Sequence, residues 1–473
     1  MTAVSVKSGQ GTPKLPAGAV DGLRGRVRGA VCLPGEPGYE QARTIWNAMI
    51  DRRPAVIVRA AGAADVIAGV RFARERGLRL AVRGGGHNIA GNAVCDDGLM
   101  IDLTPMKSVR VDPIAMTARV EPGVTLGEFD REAQAFGLAT PVGINSTTGV
   151  AGLTLGGGFG WLSRKYGLTI DNLLAADVVT ANGELLRASE NENPDLFWAV
   201  RGGGGNFGVV TSFEYHLHRV GPVLSGLIVH PFADAKNLFD GYRRFTAQAP
   251  DELTCWVVLR KAPPLPFLPA EWHGKEIFAL ALCWCGDIAT GKKAIAPLEA
   301  LGKPIANVVG ENPLAGWQTA FDPLLAPGSR NYWKSHDFRS LPDGLIDTLL
   351  DSTRKLPSPE CEIFVGHLGA AVNRVPANAT AFPRRDVEYI VNVHTRWSDR
   401  GQDQACIGWA RDLFDKMTPH AIGSVYVNFM PEDEAQRVPK GAYGPNYDRL
   451  TRIKAKYDKE NLFRQNQNIA PAG

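Results

Sequence analysis

At 473 residues the chain is too long for one ordinary core, so two domains are expected, or one domain with a large insertion. Hydrophobic residues at 44% and charged residues at 21% make it globular, and a net charge of +3 offers neither nucleic acid nor an anionic membrane a basic surface. Seven cysteines at irregular spacing, with no CxxC pair, argue against a disulfide framework and a structural zinc site.

Residues 1 to about 20 read as a loose polar arm without the apolar segment of a signal peptide. No apolar run approaches the about 18 residues that a membrane helix needs, so a cytoplasmic protein with no membrane partner is expected. Residues 54–60 (PAVIVRA) read as a buried strand. Asp65 offers an N-cap, and Val66, Ile67, Val70 and Ala73 follow at helical spacing before Gly77. Leu78, Leu80 and Val82 then alternate with Arg79, Ala81 and Arg83, the period of a strand, which runs into Gly84, Gly85, Gly86, His87 and Asn88, with Gly91 just beyond. This β-α-β order puts the glycines at a strand end, where ligands often sit. Glycine lets a loop turn its N–H groups toward an anion, and a histidine there stands beside whatever is held. A glycine turn followed by an exposed histidine is the plain alternative. Short strands are predicted at 99–103, 109–111 and 117–120, and an amphipathic helix at 124–136.

Two further glycine clusters follow. One, at 141–160, contains Gly143, Asn145, Thr148, Gly149, Gly152, Gly157, Gly158 and Gly160; the other, at 198–208, contains Asn206 and Gly208, with Val210 beyond it. Three clusters between Gly84 and Gly208 suggest one extended, phosphate-bearing ligand touched repeatedly. The third includes GxGxxG at Gly203, Gly205 and Gly208, but a dinucleotide fold needs a helix next and an acid about 20 positions on. Instead Phe213, Tyr215 and Leu217 alternate as a strand and Ile228 occupies the acidic position, so that reading fails.

After about residue 220 strand-like runs (276–285, 362–368, 389–397, 424–430) alternate with helical ones (292–301, 345–356, 403–416), predicting a second α/β unit on a largely antiparallel sheet. The tail, 446–464, reads as a basic helix with Leu450, Ile453 and Tyr457 on one side.

Several smaller signals have bland readings. Gly286 to Lys293 nearly matches a P-loop, but Lys293 stands where Ser or Thr is required, so Thr290 capping an ordinary helix is expected. His216 and His218 share a strand face without an acidic or cysteine partner nearby, which favours a structural role and no metal. Cys283 and Cys285 read as buried small residues, and Glu432 to Glu434 as a solvated turn. Tyr426 and Asn428 fall on one face of the 424–430 run, opposite Val425, Val427 and Phe429; two polar groups together suit an active site, or a tyrosine hydroxyl simply bonded within a sheet.

Taken in order, the 83–87 loop, the 143–160 run, GLTIDN at 167–172, DLFWAVRG at 195–202, YDRL at 447–450 and NLFRQNQ at 461–467 resemble the vanillyl-alcohol-oxidase type of flavoprotein, within its berberine-bridge-enzyme-like branch. The resemblance covers nearly the whole chain and implies an α+β fold. A two-part PCMH-type FAD-binding domain would occupy 1–220. A substrate domain, an antiparallel sheet flanked by helices, would occupy 221–424, and a C-terminal segment, 425–473, would return to the FAD-binding domain. It implies FAD held by Arg83, Gly84, Gly85, Gly86, His87, Asn88, Gly91, Gly143, Asn145, Thr148, Gly149, Gly152, Gly157, Gly158, Gly160, Asn206, Gly208, Val210 and Asn446. The histidine matching His87 is joined covalently to the flavin in this family. Many relatives have a second link through a cysteine where this chain has Asn145, so one covalent bond is expected, and a large sugar substrate is disfavoured. Thr148 matches a position that admits or blocks oxygen, and its small volume favours access. Tyr426 matches a tyrosine that acts as base or orients the substrate, with Asn428 beside it; His367, Tyr389 and His394 are candidates for its partner, His367 taken first. The implied activity is an FAD-dependent oxidase taking hydride from a small alcohol, amine or related molecule, with O2 as acceptor giving H2O2. A flavin dehydrogenase using another acceptor is the alternative, and a non-catalytic flavin-binding protein a more distant one.

Overall fold

The computed structural model describes residues 18–473. Most of the predicted N-terminal arm lies outside them; a helix at Ala19–Arg24 is the first element.

The fold is α+β, built on three main sheets. The smallest has four strands in the order Ala30–Cys32, Val56–Arg59, Leu99–Asp102, Leu80–Arg83, the last three parallel. Apolar β-branched runs fill its centre, and the helix Ala63–Glu75 covers it with Val66, Val70 and Ala73. Asp65 does not cap this helix. It sits inside the first turn, and its carboxylate accepts the N–H groups of Arg28, Gly29 and Ala61, which fastens the chain entering the sheet. The second sheet is antiparallel, with strands Val109–Asp112, Thr117–Val120, Val209–His216, Leu173–Val179 and Leu185–Ser189 in spatial order. Its helix, Leu126–Gln134, starts on a capping box in which Glu128 accepts from the Thr125 N–H at 2.8 Å.

The third sheet, of eight strands, is antiparallel throughout. From one edge it runs Ala306–Asn307, Val223–Pro231, Glu276–Trp284, Leu253–Lys261, Glu362–His367, Tyr389–Trp397 and Arg330–Phe338, with Gly310–Asn312 also pairing to Val223–Pro231. Helices Ala235–Thr246, Ile288–Glu299, Asp343–Thr353 and Asp403–Met417 cover its apolar face. The cap of Ile288–Glu299 is Asp287, which accepts from the Thr290 N–H, and Gly291 packs on Trp284; the near-P-loop is an ordinary helix start. The C-terminal segment turns back: Val425, Val427, Tyr443, Leu450, Ile453 and Ile469 pack with Val210, Phe213 and Phe197 in the core of the second sheet.

Two expectations about this segment fail. Residues 424–430 are not a strand. Val425 N donates to Gly441 O rather than to a ladder, and Val427–Phe429 is a 3₁₀ turn. The solvated turn expected at Glu432 to Glu434 fails at Glu434: Glu432 and Asp433 are exposed, but Glu434 is buried between Lys334 and Arg437, and Asp433 takes the Tyr332 hydroxyl at 2.7 Å, because strand Arg330–Phe338 brings compensating groups beneath it. His216 and His218 lie with their rings 4.7 Å apart, and His218 is bonded to Asn172. Among the described residues no cluster of metal ligands forms.

The first and second glycine clusters cross each other. A Cβ on Gly85 would lie against the Gly149 backbone, and one on Gly149 against Gly85 N. Gly85→Ala therefore forces two backbones apart; a loss of at least about 1–3 kcal/mol in urea unfolding is expected, and an unchanged midpoint would show that the crossing can open.

Candidate functional site

A cavity of about 340 Å³ lies where the three glycine clusters, the face of the eight-stranded sheet and the returning C-terminal segment meet. Gly84, Gly85, Gly86, His87 and Asn88 form one wall. Gly143, Asn145, Thr148, Gly149 and Gly152 form the next, and Asn206, Gly208 and Val210 a third. The tail adds Gln465, Asn466 and Gln467, which belong to the 461–467 stretch of the resemblance but were not among the expected cofactor contacts. At Gly152 and Gly205 nothing stands within 4 Å of where a Cβ would be, so these glycines leave room in the cavity. Among the described residues no lysine or arginine lines it. A phosphate-bearing ligand there would be met by backbone N–H groups and by asparagines 88, 92, 145, 206 and 466. At the tail end, the Tyr443 hydroxyl and Asn466 Oδ1 are buried on the wall without a partner among the described residues. Glycine-cleared space, backbone donors and unpaired polar atoms together fit a flat dinucleotide such as FAD.

His87 follows strand Leu80–Arg83 directly and stacks on Trp46, ring centroids 4.9 Å apart at 20°. Its Nε2 is 3.0 Å from Thr147 Oγ1 and its Nδ1 3.5 Å from Thr148 Oγ1. Burial, helped by the charge of Arg83, pushes its imidazole down to about 3, so at neutral pH both ring nitrogens belong to the uncharged form. Asn145 Oδ1 accepts from Thr147. No cysteine reaches the cavity; Cys95, nearest in sequence, is buried against Arg79 O and Leu99 O.

Six residues expected to touch the cofactor do not line the cavity. Arg83 bends away to donate to Ala42 O. Gly91 packs on Ile50, Gly157 on Phe382, Gly158 on Thr169 and Gly160 on the Val142 carbonyl, so each is glycine for a close contact within the protein. Asn446 donates to Ala377 O and Thr380 O, fastening the start of the last helix to the loop below. They shape the walls from behind.

The opposite wall is the sheet. His367 is not part of it: the side chain is buried beside Arg164, Nε2 at 3.0 Å from Nη1, stacked on Tyr389, which itself bonds Thr246. Alternation along Glu362–His367 explains this. Glu362 and Phe364 face the cavity, and His367, an odd step away, faces the other side. His394 does line it, with Asn392, Trp333 and Phe429. Burial pushes the Glu362 carboxyl up, but Arg260 and His394 outweigh it and hold it down to about 2.

Tyr426 lines the cavity and lies within contact of Phe159 and Phe429. Its hydroxyl oxygen accepts from Gly158 N–H at 3.1 Å and from Asn428 Nδ2 at 3.0 Å. A tyrosine oxygen has two acceptor positions, and both are filled. Burial raises its pKa above the ordinary value despite these donors. Of the two roles expected of Tyr426, base and orienting group, this geometry suits the second: the group left free is the O–H, a donor. Asn428 is the residue that orients it.

Residues 54–189 match the FAD binding domain family, and residues 425–470 the berberine and berberine like family. The chain is 32% identical to an FAD-linked oxidoreductase of Dictyostelium discoideum, over 94% of this chain and 95% of that one. It is 30% identical to (R)-6-hydroxynicotine oxidase of Paenarthrobacter nicotinovorans, over 94% and 98%. The structure of xylooligosaccharide oxidase from Myceliophthora thermophila, determined with xylobiose, superimposes with a TM-score of 0.83 at 26% identity, covering 97% of this chain and 100% of that one. With these matches spanning its length, and the glycine-cleared cavity formed between its sheets, the chain belongs to the berberine-bridge-enzyme-like family of FAD-linked oxidoreductases.

Proposed function

We propose that the protein is an oxidase that takes hydride from a small hydroxyl- or amine-bearing substrate, uses O2 as acceptor to give H2O2, and holds its FAD by one covalent bond, through His87. The observation that carries this reading is an uncharged histidine at the end of a strand, on the wall of a cavity that also receives Tyr426 and Asn428. An uncharged imidazole nitrogen has the lone pair that bonding to carbon requires. The absence of cysteine from the lining, with Asn145 held by Thr147, supports a single link. When bound, FAD supplies the two-electron acceptor for the substrate's hydride and the site from which O2 is reduced. Thr148, small and on the wall beside His87, supports oxygen access.

The chain's own part is to orient and to exclude water. Trp46, Phe159, Trp256 and Phe364 wall the cavity with apolar surface. Tyr426, its oxygen pinned by two N–H groups, presents its O–H to a polar atom of the substrate. All seven cysteines are free and buried, which supports action in the reducing cytoplasm.

The test is a screen of small alcohols, amines and phenols for H2O2 release, with anaerobic bleaching of the flavin followed in parallel. Bleaching with peroxide on readmitting air supports the oxidase; bleaching without it points to a dehydrogenase using another acceptor. Tyr426→Phe is expected to slow bleaching by about 10–100-fold, the worth of one buried hydrogen bond to a developing charge, with flavin content unchanged. An unaltered rate would remove Tyr426 from the reaction.

A further inference from the structure

A row of side chains crosses the sheet at the cavity wall, and the reading above leaves it without a task. Register sets Arg260 opposite Glu362, Glu362 opposite His394, and His394 opposite Trp333, on four neighbouring strands. Asn392, two residues from His394, shares its face. Arg260 Nη1 donates to Glu362 Oε2 at 2.6 Å, and His394 Nδ1 lies 2.9 Å from Glu362 Oε1. An ionised carboxylate only accepts, so the Nδ1 of His394 carries a proton toward Glu362, and in the neutral ring Nε2 is the acceptor. Among the described residues Nε2 has no partner. Neither has Asn392 Oδ1 nor the indole N–H of Trp333, and all three side chains line the cavity. Buried polar atoms are seldom left unpaired, so three on one wall mark where an occupant supplies the partners.

Together with the Tyr426 O–H these atoms make two acceptors, His394 Nε2 and Asn392 Oδ1, and two donors on the lining, and so select among substrates. A hydroxyl both donates and accepts, so it satisfies His394 Nε2 together with the donors Trp333 N–H and Tyr426 O–H. An ammonium group only donates and leaves both donors unmet. Beyond the row, a second cavity of about 70 Å³ shares Trp256, Glu362 and Phe364 with the first; apart from Arg260, which is paired with Glu362, and the indole of Trp161, it is walled by apolar groups such as Phe267 and Leu268. A sugar would meet there only the Arg260–Glu362 pair and the Trp161 N–H, too few partners for its other hydroxyls.

We infer that His394, oriented by Glu362, is the proton acceptor for a small alcohol with an apolar body. This rests on the FAD-oxidase reading. The C–H bond breaks and its hydrogen leaves with both electrons for FAD, the group reduced. The O–H bond breaks, its electron pair becomes the second C–O bond and its proton goes to Nε2. The alcohol is oxidised to a carbonyl compound, and the imidazolium formed is paired with the Glu362 carboxylate.

The purified yellow protein is mixed anaerobically with benzyl alcohol, cyclohexylmethanol, benzylamine and cellobiose. The alcohols are expected to bleach the flavin fastest, and His394→Ala to slow that bleaching by about 10²–10⁴-fold, with added imidazole restoring part of the rate. A readout free of turnover uses 4-cyanophenol and benzonitrile, followed by perturbation of the flavin absorbance. His394→Ala should weaken the phenol at least about 10-fold and leave benzonitrile unchanged. Should the alanine variant fail to fold, His394→Gln replaces it in both arms. Equal bleaching and equal phenol affinity in wild type and variant, or faster bleaching by benzylamine or cellobiose, would overturn the inference while leaving the FAD reading in place. A colourless protein that takes up no FAD would overturn both.

Discussion

Replacing Asp337 by alanine is expected to cost about 3–5 kcal/mol, because one partner of a buried ion pair is removed and the other is left charged in the interior. Asp337 is wholly buried on strand Arg330–Phe338, where both carboxylate oxygens take the Arg384 guanidinium and one also takes the Ser424 hydroxyl. Three separate parts of the chain meet on it: the sheet, the 376–386 loop and the start of the C-terminal segment. Ile422 N also donates to Asp337 O at 3.0 Å. Arg384 in turn stands over the rings of Phe382 and Tyr426, at 5.2 and 5.4 Å. The loss of stability should therefore come with disturbed chemistry at Tyr426. Urea unfolding checks the first part. A midpoint within error of wild type would mean that Arg384 finds another partner or reaches water.

His87→Ala is expected to abolish covalent attachment of flavin while the fold survives. The side chain is half-buried and contacts Trp46, Thr147 and Thr148, none of which depends on it for its own backbone hydrogen bonds. The glycine crossing beside it and strand Leu80–Arg83 stay intact, so a cavity for FAD remains. After acid precipitation wild type should give a yellow pellet and the variant a colourless one with free flavin in solution. Flavin remaining in the variant's pellet would place the link on another residue.

How far the sequence alone reaches can be judged from particular residues. His87 was legible because strand, glycines and histidine are contiguous, and local chain direction alone puts them at a strand end. Strand 389–397 was read to the residue, since it is rich in β-branched and aromatic side chains. The 424–430 run was misread as a strand. Its alternation has the right period, but a period says nothing about whether a ladder partner is present, and none is. Glu434 was misread because the lysine and arginine that neutralise it arrive from other elements. Gly157, Gly158 and Gly160, expected at the cofactor, do not line the cavity for a related reason. Glycine marks close approach, and here what approaches is a phenylalanine, a threonine and a carbonyl of the same chain. The row from Arg260 to Trp333 was out of reach, because its members lie far apart in sequence and meet only through cross-strand register. His394 alone among them was considered.

The most direct test of the account is the intact mass of the wild-type polypeptide after denaturation. A mass raised by one FAD, with none of the protein at the bare polypeptide mass in a fully yellow sample, is the predicted result. The bare polypeptide mass, with all the flavin released into solution, would contradict the covalent tether at His87 and with it the central claim.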